Sequence, residues 1–238
     1  MKRPSEFKVK VFADGAEKAG MLEMYRNPII RGFTTNPTLM RKAGISDYES
    51  FAREILRGIP DRPISFEVFS DDFEDMERQA RKISEWGDNV YVKIPVTNTA
   101  AKSSVALVTI LVRAGVKLNV TALMTLEQVR DVGVALAGGP PAYVSVFAGR
   151  IADSGRDPVP IMAGAVELLR PHANIELIWA SPREVFNIVQ ADSVGCHIIT
   201  ATNDLIKKLD LIGKDLTEFS LDTVKLFRRD AVAAGYTL

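Results

Sequence analysis

The sequence predicts an α/β protein folded as a single (β/α)8 barrel over residues 1–238, with the barrel at about 8–210 and an additional C-terminal helix at about 220–235. Three observations predict it. Eight short segments rich in β-branched or aromatic residues recur at intervals of roughly 20 to 32 residues, the length of one βα unit. Helical periodicity fills the intervals. No composition break marks a linker, and the make-up, 47% hydrophobic and 25% charged, is that of one globular core.

The expected strands are "KVKVFAD" (8–14), "GFTTN" (32–36), "PISFEVF" (63–69), "VYVKIPV" (90–96), "KLNVTAL" (117–123), "YVSVFAG" (143–149), "IELIWAS" (175–181) and "CHIITAT" (196–202). Between them, "SDDFEDMERQARKISEW" (70–86) spaces Phe73, Met76, Ala80 and Ile83 by three or four, with Ser70, Asp71 or Asp72 able to cap its first turn. "VALVTILVRAG" (105–115), "LEQVRDVGVALAGG" (126–139) and "SPREVFNIVQADSVG" (181–195) read as helices stopping near glycine. "GGPP" (138–141) ends one such helix before a strand, and "NDLIKKL" (203–209) is a short helix after the eighth. In the C-terminal helix Leu221, Val224, Phe227 and Ala231 form an apolar stripe, fit to cover the barrel wall or a neighbouring subunit. The alternative architecture, a doubly wound open sheet, would carry a glycine-rich phosphate loop after the first strand, and "FADGAEKAG" is not one.

Composition narrows the function. Thirty basic residues balance thirty acidic ones, so no electrostatic footprint points to nucleic acid or an anionic membrane, and small-molecule partners are expected. One cysteine, Cys196, excludes an internal disulfide framework and fits a cytoplasmic chain; two histidines, His172 and His197, give no cluster with metal-ligand spacing, so no metal is expected, and the lysine chemistry considered below requires no cofactor. The start "MKRPSEFKVKVF" lacks the apolar run of a secretory signal, and the longest uncharged window is broken by "GGPP", so no membrane span is expected.

In a parallel barrel inward side chains come every second residue, and the active site lies at the carboxyl ends of the strands. The last inward position of each expected strand collects Asp14, Asn36, Glu67, Lys93, Thr121 with Asn119 one layer below, and Ser145 with Phe147. Unpaired, each polar group buried there would cost about 1–3 kcal/mol, so the set should satisfy itself around a polar ligand. A lone strand-end lysine is usually a snorkelling surface residue. Lys93 differs, with apolar neighbours on both sides and polar parity partners at its own level. An amine among carboxylates suits Schiff-base chemistry on a carbonyl. Bland readings stand beside these: Asn36 before Pro37 as a turn residue, Asp14 before Gly15 as a helix cap, Cys196 as a small buried hydrophobe and His197 as structural. A second constellation points to an anion. In "WASPREV" Ser181 is a natural N-cap and Pro182 suits the first helical position, with Arg183 in that first turn opposing the helix dipole and Arg150 nearby.

Assembled in this order, "GFTTNPTLM", "YVKIPVT", "LNVTALMT", "SVFAGRI" and "WASPRE" make the chain resemble the transaldolase family, specifically the short bacterial transaldolases that include fructose-6-phosphate aldolases. The resemblance spans nearly the whole chain. It implies a TIM barrel in which Lys93 is the Schiff-base lysine, Asp14 the acid/base, and Glu67 with Thr121 the pair holding a catalytic water. It makes Asn36, Asn119 and Ser145 hydrogen-bonding residues around a dihydroxyacetone unit, and Arg150, Ser181 and Arg183 phosphate-binding positions. Glu67 and Phe147 stand where the aldolase branch has glutamine and tyrosine, so transfer between sugar phosphates is implied over release of free dihydroxyacetone. A simple aldolase and a catalytically silent sugar-phosphate-binding barrel are the alternatives. Trp179, Pro182 and "TATND" (200–204) depart from the family pattern beside the anion site. The resemblance also implies a homo-oligomer, a pentamer or decamer joined through C-terminal helices.

Overall fold

The computed structural model describes residues 4–237; Met1, Lys2, Arg3 and Leu238, the extremes of the expected domain and the basic start of the leader reading, lie outside the described residues. Its eight strands close into a barrel in sequence order, every neighbouring pair parallel, with the first strand bonded to the last. That closure excludes the open sheet. The elements are β1 (Lys10–Asp14), α1 (Lys18–Tyr25), β2 (Ile30–Thr34), α2 (Pro37–Lys42), α3 (Tyr48–Gly58), β3 (Ile64–Glu67), α4 (Phe73–Ser84), β4 (Val90–Pro95) and α5 (Val105–Arg113). They continue with β5 (Leu118–Leu123), α6 (Leu126–Leu136), β6 (Ala142–Val146), α7 (Ala148–Asp153), α8 (Val159–Leu169), β7 (Ile175–Trp179), α9 (Phe186–Ser193), β8 (Ile198–Thr202), α10 (Asn203–Ile206) and α11 (Leu216–Ala233).

Local chemistry starts two of the expected helices where the sequence says it should. Asp72 caps α4 by accepting the Asp75 N–H, and Thr125 and Gln128 form a reciprocal capping box on α6. Inside the barrel the aliphatic layers give way to aromatics: Tyr91 stacks on Tyr143 with centroids 4.1 Å apart, and Phe12 meets Tyr143 edge-on at 5.8 Å. Gly32 makes room for Phe12, whose ring would lie 2.5 Å from a β-carbon at that position.

Three expectations about elements are corrected. Asn36 is not a strand end: β2 stops at Thr34, and Asn36 caps α2 by accepting the Leu39 N–H at 2.9 Å, because Pro37 supplies no ladder N–H and suits a first helical turn. Phe147 is likewise past its strand; its N–H still donates to Leu123 O at 2.8 Å, but Ala148 onward is helix α7, so the strand expected to reach residue 149 stops at Val146. Ser181 does not cap a helix. It sits at φ +61°, α9 begins only at Phe186, and the N–H groups of Arg183 and Glu184 are both taken by Asn187 Oδ1 at 2.7 and 3.1 Å. Arg183 is therefore in no helical turn.

Helix α11 begins earlier than expected, capped by Asp215, and buries none of its residues; Leu221, Val224 and Phe227 are exposed, so the stripe does not cover the barrel wall. No described helix is long and apolar enough to cross a membrane.

Candidate active site

At the carboxyl ends of the strands lies a cavity of about 470 Å³. It is lined by Asp14, Asn36, Glu67, Lys93, Thr121, Ser145, Phe147, Arg150, Ser181 and Arg183, which leaves Asn119 as the one expected site residue outside the lining. Asn119 is fully buried in the layer beneath, where it is paired in register with Lys93, donates to Ser65 Oγ at 3.0 Å and accepts from Ser145 Oγ at 2.7 Å. This chain of three side chains gives each of its buried polar atoms a partner below the lysine.

Lys93 is the centre of the cavity. Glu67 lies beside it in register on β3, with Oε2 at 3.1 Å from Nζ, and Nζ donates to the Thr35 carbonyl at 2.9 Å. Its side chain is 7% exposed and that of Glu67 17%, so the pair is held out of bulk solvent and its attraction is little screened. Asp14 does not cap a helix; Glu17 does that for α1, accepting from the Ala19 and Gly20 N–H groups. Asp14 instead accepts from Thr34 Oγ1 at 2.7 Å, and Asn36 Nδ2 reaches its other oxygen at 3.4 Å. Thr34 in turn shares a 2.6 Å hydrogen bond with Thr200. Burial pushes the Asp14 carboxyl above the ordinary carboxylate range, outweighing the opposing pull of Lys93 and of the bonds from Thr34 and Asn36.

Thr34 and Thr200 were missed in the sequence reading. Their common level depends on β1 lying between β2 and β8, which only barrel closure reveals. Ala122 was missed as well. Between β5 and β6 the register advances from Val120 to Leu123 against Val144 to Val146, a bulge of one residue, and Ala122 absorbs it at φ +67°. Thr121 and Ala122 consequently both line the cavity, although strand parity admits only one. Thr121 Oγ1 is buried and lacks a hydrogen-bond partner among the described residues. A hydroxyl in that state at a cavity wall is available to a ligand oxygen or a water.

On the rim, Arg183 is held from two sides. Its Nε donates to Asp153 Oδ1 at 2.9 Å and its Nη2 to Asp153 Oδ2, while Nη1 donates to Ser181 Oγ at 3.1 Å. The Arg183 charge is thus partly neutralised, and it holds the Asp153 carboxyl below its ordinary value. Three of the guanidinium's five N–H groups are used, leaving one on each terminal nitrogen for an anion. Arg150 stands nearby on α7, its guanidinium 5.9 Å from the Phe147 ring centroid.

Gly149 sets this rim. A β-carbon there would lie 1.6 Å from the Ser181 carbonyl oxygen, so the loop after β7 can pack on α7 only over a glycine. Gly149→Ala is expected to displace Ser181 and Arg183 together, costing about 1–3 kcal/mol in stability and weakening binding of anionic ligands; thermal unfolding and ligand titration check both.

The remaining polar candidates lie outside the cavity lining. Cys196 is buried, which pushes its thiol up to about 12, and His197 accepts the Leu177 N–H through Nδ1 at 3.1 Å. Trp179 is fully buried with Nε1 unpartnered among the described residues. No three His, Cys, Asp or Glu side chains among the described residues converge as a metal site.

A family model described as Transaldolase/Fructose-6-phosphate aldolase matches residues 11–237. Among similar curated proteins, a "Probable transaldolase" of Thermoanaerobacter sp. is 34% identical over 218 residues, 91% of this chain and 95% of the relative. Another, of Streptococcus equi subsp. zooepidemicus, is 33% identical over 227 residues, 93% and 97% of the two chains. Solved structures with the same fold include dihydrodipicolinate synthase from Rhodopseudomonas palustris, with a TM-score of 0.57 at 13% identity over 93% of this chain and 80% of that one. A 2,3-dimethylmalate lyase matches with a TM-score of 0.56 at 12% identity, over 98% and 86%. Identities this low carry the fold alone.

Proposed function

The chain belongs to the transaldolase/fructose-6-phosphate aldolase family, and from that premise we propose that it transfers a dihydroxyacetone unit from a ketose phosphate, of the fructose 6-phosphate or sedoheptulose 7-phosphate type, to an aldose phosphate through a Schiff base on Lys93. The observation that carries the reading is one nearly dry amine within 3.1 Å of a carboxylate, in a cavity that also presents a second carboxylate and an unpartnered hydroxyl.

In this reading Lys93 passes one proton to the water held by Glu67 and Thr121 and attacks the C2 ketone as the neutral amine; that proton returns to the carbinolamine hydroxyl, whose departure as water leaves an iminium. Asp14 takes the C4 hydroxyl proton as the C3–C4 bond breaks; the bonding pair moves into the iminium, an aldehyde departs, and a three-carbon enamine stays on Lys93. The raised affinity of Asp14 for a proton strengthens it as the base. The enamine adds to the acceptor aldehyde, Asp14 returns the proton, and a water held between Glu67 and Thr121 hydrolyses the new imine. Ser145 anchors the dihydroxyacetone hydroxyls, with Asn119 behind it holding its hydroxyl in place, Asn36 bonds beside Asp14, Phe147 packs at the mouth, and Arg150, Ser181 and Arg183 receive the distal phosphate.

Borohydride reduction in the presence of fructose 6-phosphate is expected to fix a three-carbon adduct on Lys93, read by peptide mass spectrometry. An unmodified chain, or label on another lysine, would refute the assignment. The simple aldolase is separated by product analysis, because it alone accumulates free dihydroxyacetone when acceptor is withheld. The exposed apolar residues of α11 support a homo-oligomer, a pentamer or decamer, in which that helix packs on a second copy in the cytoplasm; a monomeric sedimentation coefficient would exclude it.

A further inference from the structure

The ladder between β2 and β3 ends in an unusual way. Phe33 N–H donates to Pro63 O at 2.8 Å and Thr35 N–H to Ser65 O at 3.2 Å. In a continuing parallel ladder the next bond would run from Glu67 N–H to Thr35 O, and the one after from the N–H of residue 37 to Glu67 O. Residue 37 is proline and has no N–H. The Thr35 carbonyl is already the acceptor for Lys93 Nζ. Both places are filled by one side chain from α3: the Tyr48 hydroxyl accepts the Glu67 N–H at 2.7 Å and donates to Glu67 O at 3.1 Å.

We propose that Tyr48 is a positioning residue for the Lys93–Glu67 pair: by satisfying the Glu67 backbone where β2 and β3 part, its hydroxyl reserves the Thr35 carbonyl for the lysine amine. The role rests on the reading of Lys93 as the nucleophile. The ring is fixed for this task edge-on to Trp86 at 5.4 Å and to the fully buried Phe66 at 6.1 Å, while the exposed Phe69 only covers it from outside at 4.5 Å. Burial pushes its phenol up, so the hydroxyl keeps the proton it donates. Without that hydroxyl the Glu67 N–H has one acceptor within its ladder geometry, the Thr35 carbonyl; that oxygen can accept two bonds, but the backbone shift that brings it to Glu67 moves it from its place at Lys93 Nζ.

Tyr48→Phe removes the oxygen and little else. It is expected to lower kcat about 10-fold to 100-fold, and to slow borohydride-trappable imine formation in parallel, with KM within about twofold of wild type. Phe69→Leu is the control, since it loosens the aromatic packing and keeps the hydroxyl. It is expected to lower the melting temperature while kcat and the trapping rate stay within about twofold of wild type. A purely structural Tyr48 would reverse this split, with both variants losing stability and neither losing kcat beyond twofold, and that would overturn the proposal. If wild-type Lys93 is labelled and Tyr48→Phe is labelled equally fast, the positioning role alone falls. If wild-type Lys93 takes no label, the catalytic reading falls and this one with it.

Discussion

Lys93→Met is expected to abolish turnover, by about 10^5-fold or more, while the fold survives. On the proposed mechanism no iminium forms without the primary amine, so the bonding pair released when C3–C4 breaks has nowhere to go. Methionine keeps most of the apolar stem that β4 buries, which isolates the loss of the nitrogen. The energetic consequence is separate and equally specific. The substitution strands the Glu67 carboxylate, which now has its Oε2 3.1 Å from the ammonium and little solvent to replace it. Breaking one side of such a pair costs about 3 kcal/mol, the low end for buried pairs because Glu67 keeps some exposure. Adding Glu67→Gln to Lys93→Met removes the stranded charge and should return most of that stability without returning any activity. Denaturant unfolding of the single and double variants reads this directly. Equal stabilities would mean that Glu67 is held by something other than the lysine.

How much of this site was readable in the sequence follows from what each residue depends on. Glu67, Lys93, Asn119 and Ser145 depend only on strand parity and on the rule that parallel barrels open at their carboxyl ends, both local properties of short segments. Thr34 and Thr200 depend on which strands become neighbours, and threonine in a β-rich segment signals nothing by itself. The loop after β7 misled because "SPRE" is a good helix start taken alone. Asn187, six residues beyond Ser181, places its side-chain oxygen on the N–H groups that a helix start would leave free, and Gly149 on another element draws the Ser181 carbonyl in. The rim charge was overstated for a similar reason. Asp153 lies thirty residues from Arg183, and no spacing rule joins them. Tyr48 was the least visible of all, since its hydroxyl acts on backbone atoms, and its value follows only from where β2 runs out of N–H groups.

Asp14→Asn is expected to lower kcat about 10²-fold to 10⁴-fold, the range for removing a general base, while still forming the imine on Lys93. Its stability should move the other way. Burial raises the folded-state proton affinity of Asp14 above that of the unfolded chain, so folding opposes its ionisation. Below the unfolded carboxylate value the group is protonated in both states and contributes no penalty. As pH rises through the raised folded value, the carboxylate must be held in a site that disfavours it, and that stability is lost. Asparagine never ionises, and Thr34 Oγ1 can still donate to its side-chain oxygen. The variant should therefore melt above wild type at pH 7, and the gap should close as the buffer is taken toward pH 4. A gap that stays constant across that range would show that the gain comes from packing and not from the charge. A variant that melts below wild type at pH 7 would show the carboxylate to be well solvated, and would remove the physical basis for treating Asp14 as a base sharpened by its surroundings.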